Sequence, residues 1–339
     1  MTQLSWTPPD ATRAGATLET FILEGMFHSP GATGTFTSLL NQIGLAAKLI
    51  AQRVRRAGLA DVLGWTGDTN VHGEYVQKLD IISNETFINV LKRRGHCMAI
   101  ASEELDDPVI FPEARGGYLV TVDPLDGSSN IDVDISIGTI FGIQKVEEKK
   151  ITEASFLRPG RELAAAGYVI YGSSTVLVLS TGRGVHGFTW DPGAGEFFLS
   201  HENIRCPEKG SLYSVNEGNA SRWTPGVQRW NEFIKAIDKD DGRPYSQRYV
   251  GSLVADAHRT LLKGGIFAYP ADTKSPSGKL RLLYEANPIA FIFEAAGGRA
   301  TTGKQRILDV IPDALHQRVP LIVGSARDVE TFERFATEG

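Results

Sequence analysis

The first hydrophobic pattern in this chain is helical and runs from residue 36 to residue 57. Apolar side chains recur there at every third or fourth position, which places them on one face of a helix. Thr33 or Thr35 can cap the start of this helix, and Gly58 can end it. The apolar positions are Phe36, Leu39, Leu40, Ile43, Ala47, Ile50 and Val54. The segment is therefore predicted to be an amphipathic helix that buries one face in a core.

The pattern after this helix is first irregular and then strand-like. Residues 61–79 contain several glycines and polar side chains, which predicts a long loop that ends at Asp80. Long loops in compact domains are usually functional or mobile. A second helix is predicted at 81–93. Strands are predicted at 97–101, at 118–123, at 137–146 and, between glycine-rich turns, within 164–202.

Helices become more frequent beyond residue 203. Alternating strands and helices imply a layered α/β architecture, and 339 residues are enough for two domains. We therefore place a domain boundary near 203, which gives an N-terminal domain at 1–203 and a C-terminal domain at 204–339. In the second part, helices are predicted at 225–238, at 252–263 and from Pro288 to Gly297, with a strand at 266–269 and a polar loop at 271–278.

Composition and charge narrow the range of partners. The net charge of −5 means that the chain lacks the excess of basic residues typical of nucleic-acid-binding proteins. No apolar run is long enough to span a membrane. The N-terminus lacks the charged and apolar regions of a signal peptide and reads as a flexible lead-in. Cys97 and Cys206 show no metal-ligand or redox spacing. We therefore expect a cytoplasmic protein that binds neither nucleic acid nor membrane.

The chemistry of the chain is concentrated where the predicted strand at 118–122 ends. Asp123 and Asp126 follow this strand and precede the small, polar turn 127–130. Carboxylates hold hard cations such as Mg²⁺, and backbone amides and hydroxyls at such a turn hold phosphate. A D-x-x-D pair alone is more often a helix cap or a surface turn. The glycine, serine and asparagine that follow favour a metal-assisted phosphate site.

A second acidic pair supports this interpretation. Glu103 and Glu104 follow another apolar run, 98–101. Ligands of open α/β folds bind at the C-terminal edge of the strands, so two such edges with four carboxylates predict one shared site.

Several segments resemble class I fructose-1,6-bisphosphatases, which belong to the lithium-sensitive, magnesium-dependent phosphatases. The resemblance covers roughly residues 18–330. It implies an α/β fold with five layers, α/β/α/β/α, of the sugar phosphatase type, and an active site between two domains. The segments that carry it are S-E-E at 102–104, D-P-L-D-G-S-S-N at 123–130, N-E-G at 216–218, R-Y-V-G-S at 248–252, G-G-I-F-A-Y-P at 264–270 and K-L-R-L-L-Y-E-A-N-P at 279–288.

The resemblance implies an enzyme that hydrolyses the 1-phosphate of fructose 1,6-bisphosphate in carbohydrate metabolism, either gluconeogenesis or the Calvin cycle. It implies about two to three Mg²⁺ ions, for which Mn²⁺ or Zn²⁺ can substitute, and a homotetramer. The implied metal ligands are Glu103, Asp123, Asp126, Glu285 and the carbonyl of Leu125. Asp80 and Glu104 would position and deprotonate the attacking water, and Glu74 would approach a metal when the loop closes.

Each of these assignments has a structural alternative. Without the resemblance, Glu285 reads as an acid at a helix N-terminus and Asp80 as a helix cap. Lys274 and Arg281 can form a solvated face, and Tyr269 can serve packing alone.

The substrate contacts are also implied by the resemblance. Asn219 stands where animal members of the family have a tyrosine, which replaces a hydroxyl near the distal phosphate by an amide. Arg248 would reach the active site of a neighbouring subunit. The implied substrate-binding residues are Gly127, Ser128, Ser129, Asn216, Arg248, Tyr249, Tyr269 and Lys279.

Other functions remain open at this point. One alternative is a dual enzyme that also accepts sedoheptulose 1,7-bisphosphate, as some bacterial and photosynthetic members of the family do. An inositol monophosphatase-like phosphatase shares the D-P-L-D-G core but lacks the blocks at 248–252 and 279–285. An inactive metabolite-binding regulator on the same scaffold is expected to lack at least one of the acids, and all of them are present.

Regulation by AMP is expected to be weak or absent. Animal members of the family bind AMP in the N-terminal domain, at a site that Thr33–Gly34 and Tyr118 resemble. Three charged positions of that site differ, because Thr35 replaces a glutamate, Gly117 a lysine and Lys145 an arginine. Fewer charge-assisted bonds to the nucleotide phosphate are then available.

Overall fold

The helices of this protein were located in a computed structural model, which describes residues 15–27, 34–57, 59, 65–69, 75–148 and 150–337. They are α1 Leu18–Phe27, α2 Thr35–Val54, α3 Lys78–Lys92, α4 Pro225–Lys235, α5 Leu253–Lys263, α6 Asn287–Ala295 and α7 Ala326–Thr337. None of these helices combines the length and apolar character needed to cross a bilayer, within the described residues.

The strands fall into two large sheets and two small pairs. In chain order they are β1 Trp65–Thr69, β2 Tyr75–Gln77, β3 Cys97–Ser102, β4 Val109–Ile110, β5 Tyr118–Asp126, β6 Ile137–Lys145, β7 Leu163–Tyr171, β8 Thr175–Ser180, β9 His186–Asp191, β10 Glu196–His201, β11 Leu212–Ser214, β12 Ser246–Gln247, β13 Ile266–Tyr269, β14 Leu280–Arg281, β15 Arg299–Thr301, β16 Arg318–Val319 and β17 Leu321–Gly324.

The larger sheet has eight strands in the order β10-β9-β8-β7-β6-β5-β3-β4. The strand pair β3 and β5 is parallel, while the other neighbours in this sheet are antiparallel. The smaller sheet has five strands in the order β12-β11-β13-β17-β15. Strands β1 and β2 form a separate antiparallel hairpin, and β14 pairs with β16.

Three groups of helices and the two sheets alternate as five layers. On one face of the larger sheet, Leu39 and Ile43 of α2 share a hydrophobic core with Phe141 of β6. On its other face, α5 and α6 lie in a core that contains side chains of both sheets. On the far face of the smaller sheet, Trp230 of α4 and Phe332 of α7 pack with their ring centroids 4.9 Å apart. The α/β/α/β/α architecture predicted from the sequence is therefore confirmed.

Most of the predicted elements are present with small shifts at their ends. The helix predicted at 36–57 is α2, the one at 81–93 is α3, and the strand at 266–269 is β13. The predicted strands at 97–101, 118–123 and 137–146 are β3, β5 and β6. Helices α1 and α7 were not predicted, although Val329 and Phe332 in α7 carry the i, i+3 apolar signal.

The prediction of an unbroken loop at 61–79 is wrong. This segment contains the hairpin of β1 and β2, and α3 already begins at Lys78. Its glycines and polar residues hid two short runs of aromatic, threonine and valine residues that favour strands. Asp80 consequently lies inside the first turn of α3 and does not cap it. Thr33, Gly58 and Glu74, which were named above, lie outside the described residues.

Candidate functional site

Two parallel strands bring the first acidic residues together. In the pairing of β3 with β5, Ser102 lies opposite Val122, so the two strands end at the same edge of the sheet. The backbone N–H of Glu103 donates to the carbonyl of Val122 at 3.0 Å, which holds the start of the acidic turn against β5. The N–H of Glu104 then donates to the Ser102 hydroxyl at 3.3 Å. Glu103 and Asp123 are thereby neighbours at this edge, as the sequence predicted.

A bulge in β5 shapes the D-P-L-D segment. Asp123 lies opposite Ile140 of β6, but Asp126 lies opposite Gly138, so three steps along β5 match two along β6. The N–H of Leu125 donates to Oδ1 of Asp123 at 3.0 Å inside this bulge. Gly138 is required here, because a Cβ would come within 2.5 Å of the Val169 carbonyl oxygen. The bulge therefore fixes the backbone between the two aspartates.

Glu285 joins the site from the other half of the chain. It lies in a π-helical turn, Leu282–Ala286, that leads directly into α6. Its Oε2 accepts a hydrogen bond from the backbone N–H of Arg281 at 2.5 Å. Glu285 is 6% exposed and stands just before the N-terminus of α6, so it is both the helix-end acid of the structural alternative and a buried carboxylate of this site.

Three carboxylates meet closely enough to share one cation. Each of Glu103, Asp123 and Glu285 offers an oxygen, and these three oxygens lie within 4.8 Å of one another. All three are hard oxygen donors, which is the ligand type that Mg²⁺ prefers. The donor set therefore fits a magnesium ion.

Asp126 lies beside this trio and is held separately. Its Oδ2 accepts hydrogen bonds from the N–H of Val254 at 2.8 Å and from the Ser252 hydroxyl at 3.4 Å. Both donors belong to the first turn of α5 and the residue before it. The charge of Asp126 also raises the pKa of Asp123 and of Glu285. Asp126 is thus part of the same electrostatic cluster, which we call the acidic cluster: Glu103, Asp123, Asp126 and Glu285.

The cluster carries more negative charge than its surroundings can balance. Burial raises the pKa of Asp123 well above its usual value, and the charges of Glu103, Asp126, Glu285 and Glu104 raise it further. Burial raises the pKa of Asp126 to about 6, although the Val254 N–H opposes the shift. Such raised values mean that the ionised cluster is destabilised until a cation is present.

One cation of the chain itself lies in the cluster. Arg281 is 1% exposed, and its Nε lies 3.7 Å from Oε1 of Glu103. The alternative that Arg281 belongs to a solvated face is therefore wrong. No alternation of buried and exposed positions could have revealed this burial, because β14 has only two residues and both are buried. Arg281 partly offsets the acidic charge.

The two acids expected to act on water lie in segments next to strands β3 and β5. Asp80 is 3% exposed in the first turn of α3, and α3 packs against β3 and β5. Glu104 is partly buried, and its charge raises the pKa of Asp123.

The turn after Asp126, which was expected to bind phosphate, is a left-handed glycine followed by a short 3₁₀ helix. Gly127 adopts φ 78°, in the left-handed region, and begins a short 3₁₀ helix at Ser128–Val133. A Cβ at Gly127 would lie 3.1 Å from the Ser252 hydroxyl oxygen. Ser129 is exposed and Ser128 partly so, which leaves their hydroxyls accessible to a ligand. The structure thus brings Gly127, Ser128 and Ser129 next to the acidic cluster.

Of the implied substrate-binding residues, Arg248 and four others are expected to bind the distal phosphate, the one that does not react. These four form one group, which we call the distal cradle: Asn216, Tyr249, Tyr269 and Lys279. The hydroxyls of Tyr249 and Tyr269 lie 2.9 Å apart. The Asn216 side chain lies near Tyr249, whose pKa is raised by burial and lowered slightly by Asn216. The Lys279 ammonium lies 5.4 Å from the Tyr269 ring centroid, and its charge lowers the pKa of Asp126. The distal cradle is therefore close to the acidic cluster.

Among the described residues, no hydrogen bond or ion pair joins the Arg248 side chain to the distal cradle of its own chain. Its side chain is exposed, and Nη1 donates to the carbonyl of Gln247 at 2.7 Å. The guanidinium thus lies on the surface of the subunit.

Comparison with known protein families gives two adjoining matches. Residues 16–202 match the fructose-1-6-bisphosphatase N-terminal domain, and residues 206–337 match the fructose-1-6-bisphosphatase C-terminal domain. Together these two matches cover nearly the whole chain.

Individual proteins give the same result. The chain is 67% identical over 337 residues to fructose-1,6-bisphosphatase class 1 of Sorangium cellulosum, which covers 98% of this chain and 97% of that protein. It is 54% identical to the protein of the same name from Chlorobium luteolum, over 94% of this chain and 97% of the relative.

A solved structure confirms the fold. The crystal structure of Leishmania major fructose-1,6-bisphosphatase in holo form superposes with a TM-score of 0.90 at 42% sequence identity, covering 95% of this chain and 99% of that one. The apo form of the same protein gives a TM-score of 0.85.

Proposed function

This chain belongs to the class 1 fructose-1,6-bisphosphatase family and hydrolyses fructose 1,6-bisphosphate, and we propose that the reaction takes place at the acidic cluster around Asp123. The observation that carries this proposal is the convergence of three carboxylates from two halves of the chain within 4.8 Å. Glu103 and Asp123 come from the eight-stranded sheet, and Glu285 comes from the turn before α6. This arrangement supports two domains that meet near residue 203 and share one site.

The enzyme is metal-dependent, and we propose Mg²⁺ as the ion, with Mn²⁺ or Zn²⁺ as substitutes. About two to three ions would be held by the cluster, which includes Asp126 and the Leu125 carbonyl in addition to the trio. When bound, such ions neutralise the phosphate, lower the pKa of a water and stabilise the leaving oxygen. The buried, mutually repelling carboxylates support this assignment, because a cation relieves their repulsion.

The proton of the attacking water would pass to one of two remaining acids. Glu104 adjoins Glu103, and Asp80 is buried in the helix that packs on both strands of the site. A carboxylate among other carboxylates has a raised proton affinity, which suits a general base.

The substrate would span the turn and the distal cradle. The reacting phosphate would bind the amides and hydroxyls of residues 127–129, and the other phosphate would bind Asn216, Tyr249, Tyr269 and Lys279. Arg248 would reach the distal cradle of a neighbouring subunit, in a homotetramer. Its exposed position on its own chain supports this role.

A phosphate-release assay tests the proposed function directly. The substrates are fructose 1,6-bisphosphate, sedoheptulose 1,7-bisphosphate and inositol 1-phosphate, each with Mg²⁺, with EDTA, and with Mg²⁺ plus millimolar Li⁺. Fructose 1,6-bisphosphate should be hydrolysed with Mg²⁺ alone, and EDTA or Li⁺ should suppress the rate. Phosphate release from sedoheptulose 1,7-bisphosphate as well would show that the enzyme is a dual fructose-1,6-/sedoheptulose-1,7-bisphosphatase. Hydrolysis of inositol 1-phosphate alone, or of no substrate, would overturn the assignment.

A further inference from the structure

The distal cradle is assembled from two segments that are far apart in sequence. Asn216 lies at the start of the 3₁₀ helix Glu217–Arg222, and Tyr269 lies at the end of β13. Tyr249 lies between these segments: its hydroxyl is 2.9 Å from the Tyr269 hydroxyl, and the Asn216 side chain is near enough to influence it. Asn216 is exposed, and its Oδ1 accepts a hydrogen bond from the N–H of Gly218 in its own turn at 3.1 Å.

A second link joins the same two segments behind the cradle. Nε of Arg222, at the end of the 3₁₀ helix, lies 3.4 Å from Oδ2 of Asp272, three residues after Tyr269. The N–H of Thr273 donates to the Arg222 carbonyl at 3.1 Å. Trp223, which is buried, forms an isolated antiparallel β-bridge with Asp272. The two segments are therefore held together by side chain and backbone at one point.

Arg222 also reaches back into the cradle segment. Its Nη2 donates a hydrogen bond to Oδ1 of Asn219. The N–H of Asn219 donates to the Asn216 carbonyl at 3.0 Å. Arg222 thus connects Asp272 to the turn that carries Asn216. Because Asn219 uses its carbonyl oxygen to accept from Arg222, its amide N–H groups remain available as donors.

The partner of Arg222 is itself fixed. The Asp272 side chain is 9% exposed, and its Oδ1 accepts hydrogen bonds from the N–H groups of Lys274 at 2.8 Å and Ser275 at 2.7 Å. A shielded and hydrogen-bonded carboxylate gives a stronger ion pair than a solvated one. The planar guanidinium faces Asp272 with Nε and Asn219 with Nη2, two donors in fixed directions that the single nitrogen of a lysine does not reproduce.

We propose that Arg222, held by Asp272, is a positioning residue that keeps the distal cradle assembled before substrate binds. This inference rests on the proposed function, because it concerns the phosphate that does not react. A preorganised cradle avoids an ordering cost on binding. That cost is the same for the bound substrate and for the transition state. Loss of the preorganised cradle should therefore change KM more than kcat.

The test compares two substrates that share the reacting end. Fructose 1,6-bisphosphate fills the distal cradle, whereas fructose 1-phosphate has no second phosphate. The variants are Arg222→Ala, Arg222→Lys, Asp272→Asn and the double variant Arg222→Ala with Asp272→Asn. Arg299→Ala is the matched control, because Arg299 has a similar exposure and also forms ion pairs, with Glu330 and Glu333.

Arg222→Ala should raise KM for fructose 1,6-bisphosphate about tenfold, with kcat changed less than about twofold. Its kcat/KM for fructose 1-phosphate should equal that of the wild type. Arg222→Lys should restore part of the affinity lost in Arg222→Ala. The control Arg299→Ala should leave KM and kcat unchanged for both substrates. The double variant should resemble Arg222→Ala alone, because the ion pair between Arg222 and Asp272 is already lost in that single variant.

Two results would overturn the inference: an unchanged KM for the bisphosphate, or an equal loss on both substrates, which would indicate a general structural role. Failure of the proposed function is distinguishable, because the wild type itself would then show no preference for the bisphosphate over fructose 1-phosphate.

Discussion

Oδ2 of Asp126 accepts a hydrogen bond from the backbone N–H of Val254 at 2.8 Å, which ties the bulge of β5 to the first turn of α5. One carboxylate therefore has two roles. It belongs to the acidic cluster, and it meets a helix N-terminus between the two sheets, where a negative charge is favourable.

Asp126→Asn separates these two roles. The amide oxygen can still accept from Val254, so the fold should be kept, but a metal ligand and its charge are lost. We expect kcat for fructose 1,6-bisphosphate to fall by several orders of magnitude, even at saturating Mg²⁺. Steady-state kinetics with a thermal melt as the folding control checks this. Near-wild-type turnover in the variant would contradict the metal assignment.

The pKa shifts predict how the metal-free protein responds to pH. The folded-state pKa of Asp126 is raised to about 6, so the folded protein binds the proton more tightly than the unfolded chain. Stability should therefore fall as pH rises from about 4 to about 6, since the unfolded state then binds fewer protons than the folded one. Asp126→Asn has no such group. In EDTA the variant should melt above the wild type at pH 7.5, and this difference in Tm should shrink towards pH 4.

Magnesium should reverse this trend, because it binds the deprotonated carboxylates. The rise in Tm on adding saturating Mg²⁺ to the wild type should be larger at pH 7.5 than at pH 5. An equal rise at both pH values would indicate that Mg²⁺ binds outside the cluster.

Arg248→Ala tests the contact between subunits. The arginine would contact the phosphate that does not react, so its loss weakens the substrate and the transition state alike. We expect KM for fructose 1,6-bisphosphate to rise by about 10- to 100-fold, the range for a lost charge-assisted hydrogen bond, with a smaller change in kcat. Size-exclusion chromatography shows whether the variant keeps its oligomeric state. A large loss of kcat at constant KM would place Arg248 at the reacting end.

The sequence predicted the layers better than it predicted the details of the site. The apolar periods of α2 and of β5 and β6 were long enough to be read directly, and the alternation of helices and strands predicted a layered α/β fold; the five layers were implied by the family resemblance. The β1–β2 hairpin was missed because each strand is short and lies among glycines.

Within the site, Glu103 and Asp123 were predictable because each follows an apolar strand. Glu285 was not, since no local pattern links it to residues more than 150 positions earlier, and only the family resemblance nominated it. Arg222 gave no signal in the sequence. Its role depends on Asp272, and the two meet only through tertiary contacts.

The response to AMP is the remaining prediction, and the structure shows what is left of the site. The Phe36 and Tyr118 rings pack 5.4 Å apart, so the start of α2 adjoins the start of β5. Lys145 lies opposite Tyr118 in the pairing of β5 with β6. At Gly117, where animal relatives have a lysine, the chain offers no side chain.

A nucleotide phosphate at this position would therefore meet one exposed lysine and backbone amides, without the charge lost at Gly117. We expect weak or absent inhibition by AMP, measured by titrating AMP at saturating Mg²⁺ and near-KM substrate. The matched variant Gly117→Lys restores the missing charge and should increase sensitivity to AMP. A side chain there needs a small shift, because a Cβ would lie 3.0 Å from the Val146 carbonyl oxygen. Half-inhibition of the wild type at low micromolar AMP would show that the backbone amides and Lys145 suffice.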